Sequence, residues 1–446
     1  MKTLLKCFEI KENVTFPELG DFHKLANEIS NDSRVTIYKD GKSRAGKHLI
    51  AFAIGKGSKV IGVTSGAHAD EPIGVLTQYY FIKTLVNDNR FNELLNEYTF
   101  LCHPMVDPDG YELNKIWFTN PLNFKNYWLN NFRNNSPAED CEHGIPFQEG
   151  QTARPELLFV KKNFDLFKGQ FEYYVTLHSS HILPGTCFVF DRDHSDLKIR
   201  QNIVDLCHSY DLPLMDFKSR SDESMTYLGP GFIGAPNVSS MLSKYKNQPE
   251  ILKQIKMTTY EYAQTYCGAK SSFISELPIW IMQGMDDYSD SSMTMNEFKQ
   301  ISLTNNKEYL KLLKEIEGEI IKFNPNPDNQ WFKAFQMALK RGTSMIQDEE
   351  TQLGSYEGFA QVLEVKELDF QSIENQCKVL KYAIKSLEGV SVAKDSIAKY
   401  QEKFDKHFQI FETKLRLKQL SIKTQVEVQI GLIFSGLIES KSLGEL

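Results

Sequence analysis

Four short apolar runs constrain this chain most, because each has the length of a strand and each leads into a polar, chemically able group. Val60 to Val63 runs into Ser65-Gly66 and then His68 and Glu71. Tyr98 to His103 runs into the turn Asp107-Pro108-Asp109-Gly110, Tyr173 to Leu177 ends at His178, and Ser272 to Leu277 carries Glu276. Apolar runs this short, bounded by turn residues, read as buried strands. Between them lie stretches with helical spacing, Pro72 to Val86 and Arg154 to Phe167. Strands alternating with helices predict an α/β domain on a mixed, largely parallel sheet flanked by helices. Such sheets bind ligands at the carboxyl ends of their strands. That common placement pools His68, the 107–110 turn, His178 and Glu276 into one prospective site.

Further strands are expected at Arg34 to Tyr38 and His48 to Ile54, joined by the turn at 39–42, and at Cys187 to Phe190. Helices are expected over 194–210 and 249–266. Residues 111–150, rich in Asn, aromatics and Pro, predict a long irregular segment under which Trp117, Phe118, Phe124, Tyr127, Trp128 and Phe132 pack. Residues 219–243, with their Gly, Pro and Ser, predict a long loop of the kind that serves as a functional lid. From about residue 295 the pattern becomes helical throughout: 307–322, 330–345, 373–387 and 393–420. The chain therefore divides into a site-bearing domain, 1–294, and an all-helical C-terminal appendage, 295–446, whose charged faces are most simply solvated.

A length of 446 residues calls for more than one core. The net charge of −7, with no large basic block, gives no support to nucleic acid or anionic membrane as a partner. No apolar run approaches the length of a membrane span. Lys6 and Glu9 interrupt any signal-like apolar region, and 7 Cys without a CxxC spacing fit free thiols in a reducing cytoplasm. Nothing in the sequence bears on the oligomeric state.

His68 and Glu71 stand three residues apart where a strand turns into a helix, and Pro72 suits the first turn of that helix. Imidazole and carboxylate can meet one zinc ion, and a catalytic zinc site takes three protein ligands with one position left for water. His178 is the natural third. Glu276 is a candidate general base, since a carboxylate beside a zinc-activated water can take its proton. The plainer readings stand beside these. Glu71 is also favoured at a helix entry by the dipole, His178 can be a satisfied core histidine, and Glu276 can pair with Lys270.

GAHADE, HPMVDPDGYELNKIWF, GIPFQEGQTARPELLFV, TLHSS and FISELP occur in an order that resembles the zinc carboxypeptidase family over roughly residues 30–290. The resemblance implies an eight-stranded mixed sheet, one zinc ion per chain on His68, Glu71 and His178, and Glu276 as general base. It also implies hydrolysis of the C-terminal bond of a peptide, so the expected partner is a peptide or small amide with a free carboxylate. Two motifs depart from the family. Its "NRxWR" pattern appears as NKIWF, with Lys115 for the first Arg and Phe118 for the Arg that polarises the carbonyl. Its "DxNRN" pattern appears as Asn130-Asn131-Phe132-Arg133-Asn134, in which only Arg133 remains to hold a substrate carboxylate and Asn130 replaces the Asp that orients the first histidine. Losing an oxyanion donor costs about 10²–10³ in rate, and losing a carboxylate behind a zinc histidine about 10–100-fold. Lys115, Arg133 and Arg154 are the candidate replacements, and Tyr227, Tyr260 and Tyr262 the candidate tyrosines; Arg133, Lys115 and Tyr227 form the expected substrate-binding set. Two alternative functions follow from the same residues. One is a deacylase of small N-acyl amino acids, as in the succinylglutamate desuccinylase and aspartoacylase branch. The other is a catalytically silent fold that works through its helical appendage.

Overall fold

The computed structural model describes residues 2–437 apart from 12, 120, 134–140, 192–195, 217–224, 236, 245, 247–251 and 254. Nine strands form its main sheet: β1 (Val35–Tyr38), β2 (Ala51–Ile54), β3 (Lys59–Ser65), β4 (Tyr98–His103), β5 (Phe171–His178), β6 (Cys187–Asp191), β7 (Thr226–Gly229), β8 (Phe232–Ala235) and β9 (Ser271–Glu276). Their order is β1-β2-β4-β3-β5-β9-β6-β8-β7, one strand more than the eight implied by the family resemblance. The central four, β4-β3-β5-β9, are mutually parallel, and antiparallel pairs flank them. Parallel strands are covered on both faces, which is why β3 and β5 read as near-continuous apolar runs. The pleat divides each strand between two cores. Ile61, Val63, Tyr173, Val175 and Phe273 enter the larger one, while Val60, Leu101, Tyr174 and Ile274 enter the smaller.

The longer helices are α1 (Leu19–Ile29), α2 (Pro72–Asn87), α3 (Pro155–Asp165), α4 (Leu197–Ser209) and α5 (Thr259–Cys267), followed by α6 (Met295–Ile320), α7 (Gln330–Gln352), α8 (Val362–Leu387), α9 (Lys394–Leu415) and α10 (Ile422–Phe434). α3 and α5 lie on the face of the smaller core. α2 lies on the other face, and α10 packs against α2, α4 and β5.

The C-terminal helical region expected from residue 295 is present, α6 to α10, and its last helix packs back on the sheet. Two short ladders mark the joints. Asp290–Thr294 pairs with Phe359–Gln361, and Trp280–Met282 pairs with Leu417–Gln419. α10 is fully buried at Val426, Val428, Ile430, Leu432, Ile433 and Phe434, so these side chains belong to the core. The Phe434 ring lies 6.0, 5.6, 6.4 and 6.3 Å from those of Phe8, Phe81, Phe91 and Phe100. Phe434→Ala is therefore expected to cost about 3–5 kcal/mol, read from urea denaturation. A loss below about 1 kcal/mol, the scale of a single buried methylene, would mean that α10 is not integral to the sheet domain.

The segment 111–150 is less irregular than expected, since short helices form at Pro108–Asn114 and Phe124–Asn130. The expected lid falls partly outside the described residues, at 219–224. Its later part is no loop: it makes the edge hairpin β7–β8 and a helix at Val238–Lys244. The helix expected at 249–266 begins at Thr259, and residues 249–251 and 254 lie outside the description. All seven cysteines are buried thiols. No helix among the described residues is long and apolar enough to cross a membrane.

Candidate metal centre

Strand register brings the chemistry together. In the parallel pair β5–β9, His178 and Glu276 share a rung, and Ser65 of β3 pairs with Leu177 of β5. The loop that leaves β3 therefore emerges beside both. Gly66 turns it at φ 62°, where an added Cβ would stand 3.0 Å from a Val75 methyl. The 107–110 turn then braces the loop from behind. Val106 N–H donates to Ser65 O at 3.1 Å and Asp107 N–H to Gly66 O at 2.8 Å. Gly110 lies so close that a Cβ there would meet Ala69 Cβ at 2.5 Å.

His68, Glu71 and His178 are buried and converge, with one ligand atom from each within 4.8 Å of the others. His68 Nδ1 lies 2.9 Å from Glu71 Oε1, His178 Nδ1 lies 2.8 Å from Glu71 Oε2, and the two Nδ1 atoms are 2.8 Å apart. Two imidazole nitrogens do not face each other across that distance without a cation or proton between them. Ser179 N–H donates to Glu71 Oε2 at 3.1 Å and fixes the carboxylate. The α10 side chain Gln429 holds the backbone here, donating from Nε2 to His178 O at 2.9 Å while accepting from Thr77 of α2 at 2.8 Å.

Glu142 was not anticipated from the sequence. Fully buried, it faces His178 Nε2 at 3.2 Å and accepts from Thr176 at 3.1 Å and from the Thr259 hydroxyl. An ionised carboxylate only accepts, so Glu142 holds a proton on Nε2, and Nδ1, facing Glu71 and His68, is left to bind a proton or a metal ion. Burial alone would raise the Glu71 carboxyl, but the charges of His68 and His178 hold it well below the usual range. Burial alone would likewise lower His178, yet Glu71 and Glu142 raise it far above an ordinary imidazole. A site that favours a positive charge this strongly, with two nitrogen donors and one oxygen donor in reach, fits a zinc ion. Glu142→Gln keeps the shape but weakens the brace, and a tenfold to hundredfold loss of zinc affinity is expected, at about the scale of such partners. Competition with a chromogenic chelator measures it.

Glu276 lies beside this cluster and accepts from the Ser180 hydroxyl. Burial raises its pKa, and the negative charge of Glu71 raises it further. Arg133 comes in from the far side, with Nη1 3.3 Å from Glu71 Oε1 and Nη2 2.7 Å from His68 Nδ1.

The other expected substrate residues are placed elsewhere. Lys115, in the 3₁₀ turn Lys115–Trp117, pairs with Glu18 at 2.6 Å and Glu112 at 3.1 Å. Tyr227 lies on edge strand β7 with its hydroxyl against Asp216. Arg154 is buried in ion pairs with Asp107 at 3.0 Å and Glu156 at 3.1 Å. Tyr260 is buried in the smaller core, and Tyr262 donates to Asp165 at 2.6 Å. Phe118 packs on Tyr111, Trp117 and Phe16, and Asn130 bonds Asn126 rather than His68. His103 accepts from Asn163 at 3.1 Å, and burial takes its pKa down to about 3.

Residues 23–315 match the family model described as "Zinc carboxypeptidase". The inactive metallocarboxypeptidase ECM14 of Ajellomyces dermatitidis is 26% identical over 176 residues, 33% of this chain and 30% of that protein. Its namesake in Paracoccidioides brasiliensis is 32% identical over 103 residues, 20% of this chain and 17% of that protein. Each match thus takes in less than a third of the relative's length. Among solved structures, carboxypeptidase A from Helicoverpa armigera aligns at 16% identity and TM-score 0.39, over 59% of this chain and 65% of the other. The metallo-carboxypeptidase from Pseudomonas aeruginosa aligns at 16% identity and TM-score 0.37, over 58% and 60%.

Proposed function

The chain belongs to the zinc carboxypeptidase family, and from that premise we propose that it is a hydrolase that removes the C-terminal residue of a peptide, using one zinc ion per chain. The observation that carries the reading is the convergence of His68, Glu71 and His178, with Glu276 on the next strand at the same rung as His178. His68 and His178 would hold the metal through Nδ1 and Glu71 through its carboxylate. Bound there, zinc supplies a Lewis acid and brings the pKa of a coordinated water towards about 7.

The chain's own groups do the rest. Glu276 receives a proton on its carboxylate and returns it to the leaving amine, and burial beside Glu71, which raises its pKa, favours its holding that proton between the two steps. Glu142 keeps the proton on His178 Nε2, so that Nδ1 stays a donor. Arg133, whose planar fork matches a carboxylate, anchors the free C-terminus of the substrate. Its contacts with Glu71 and His68, at the edge of the metal cluster, support that role.

The name of the ECM14 relatives supports a second reading, a fold that binds without turning over. The two part on one experiment. Purified chain is loaded with zinc and offered N-acylated peptides and N-acyl amino acids, with metal content read by elemental mass spectrometry. Release of the C-terminal amino acid supports the peptidase. Cleavage of N-acyl amino acids alone would favour the deacylase, and a zinc-loaded chain inert on both would leave the binding fold.

A further inference from the structure

The C-terminal helical region places a lysine in an unusual position. Lys381 of α8 is only 9% exposed, and its described hydrogen bonds go to Asn131, at 2.9 Å to the side-chain oxygen and 3.4 Å to the carbonyl. Both acceptors are neutral. The rings of Trp331 and Tyr382 line its stem, each 5.7 Å from Nζ. Lys385, also buried, differs in having Glu388 at 2.6 Å. An ammonium group withdrawn from water without a carboxylate on it is costly, and such groups concentrate at functional sites. Burial accordingly takes Lys381 down to about 7, with Lys378 and Lys385 adding to the fall and only Asp70 opposing it.

Its location says what the group is for. Asn131 opens the three-residue stretch that ends in Arg133, and the two are separated by at most about 7 Å along the chain. The stretch is held firmly. Asn114 bonds Phe132 at both its N–H and its carbonyl, each at 2.8 Å, and the Phe132 ring packs on Trp331 of α7 at 5.0 Å. Asn131 also donates to the Tyr127 hydroxyl at 3.3 Å, Tyr127 stacks on His181 at 4.4 Å, and His181 meets the carbonyl of Asp70 at 2.9 Å, one residue before the ligand Glu71. Lys381 thus lies against the loop that carries Arg133, and the charge of Asp70, the neighbour of Glu71, acts on it.

Taking the peptidase reading as its basis, we propose that Lys381 is a specificity residue: its ammonium receives the side-chain carboxylate of an acidic C-terminal residue while Arg133 receives the terminal carboxylate. The substrate class is then a peptide ending in Glu or Asp. The anion supplies the countercharge that Asn131 cannot.

Equilibrium binding tests this without relying on turnover. Two N-acetylated peptides that differ only in a final Glu or Gln are titrated calorimetrically into zinc-loaded Glu276→Gln chain, with and without Lys381→Met. The parent is expected to bind the Glu peptide at least about tenfold more tightly, as a desolvated charge contact does, and Lys381→Met to bring the two affinities to within about twofold. Lys381→Gln, which still donates to Asn131, takes its place if the Met variant does not fold. Equal affinities in the parent, or a preference that survives the substitution, would overturn the proposal. A merely structural lysine would shift both peptides alike. Turnover by the unsubstituted zinc-loaded chain is scored separately. If neither peptide is hydrolysed, the peptidase reading fails, and the binding comparison still decides the role of Lys381.

Discussion

Glu276→Gln is expected to lower peptide turnover by about 10²–10⁴, the usual contribution of a general acid–base group, while zinc content stays at the wild-type level. The expectation rests on position. Glu276 shares a rung with His178 yet is not among the three converging donors, and the Ser180 hydroxyl orients it. Gln occupies the same volume and still accepts from Ser180, but it cannot take a proton. Amino-acid release and elemental mass spectrometry on the same preparation give the two numbers. Turnover within about tenfold of wild type, well short of a full general-base effect, would remove Glu276 from the proton path. Loss of zinc together with activity would make it a support of the cluster instead.

His178→Ala is expected to have the larger structural effect. The change removes one donor and also the group on which two buried carboxylates depend, since Glu71 and Glu142 both face the imidazole. Breaking a buried charge pair by deleting one partner costs about 3–5 kcal/mol, so the metal-free variant should denature at distinctly lower urea than metal-free wild type. Incubated with zinc it should retain close to none and hydrolyse nothing. Retention of about one ion per chain would show that His68 and Glu71 find another third ligand, and three-ligand zinc chemistry would have to be rebuilt around it.

His68, Glu71, His178 and Glu276 are legible in the sequence because each stands at or just past the end of an apolar run, and parallel strands gather such ends on one edge. Glu142 is not. It sits in a polar stretch after Pro137-Ala138-Glu139-Asp140, where nothing separates a buried acid from solvated ones, and only the fold reveals that Thr176 and Thr259 enclose it. The central strands are plain for the same reason that the edge is obscure. β3 and β5 are covered on both faces, whereas Thr226–Gly229 is half-buried and interrupted by Gly and Pro, so it reads as loop. α10 escapes because Gln425-Val426-Glu427-Val428-Gln429-Ile430 alternates polar and apolar residues with the period of a strand rather than of a helix.

The bond from Gln429 to His178 also sets an order of events during synthesis. The two residues are 251 positions apart. At about 5–20 residues per second a ribosome takes on the order of 10–50 s to cover that gap. Throughout it the histidine's carbonyl lacks its eventual donor, and the core around Phe81 and Phe100 waits for Phe434. A nascent chain that has emitted the whole sheet and four long helices is thus still open on the face where α10 will dock, and the carbonyl of His178 gains its donor only as α10 emerges. Chaperone capture at that stage would act on a half-finished species rather than on the folded chain.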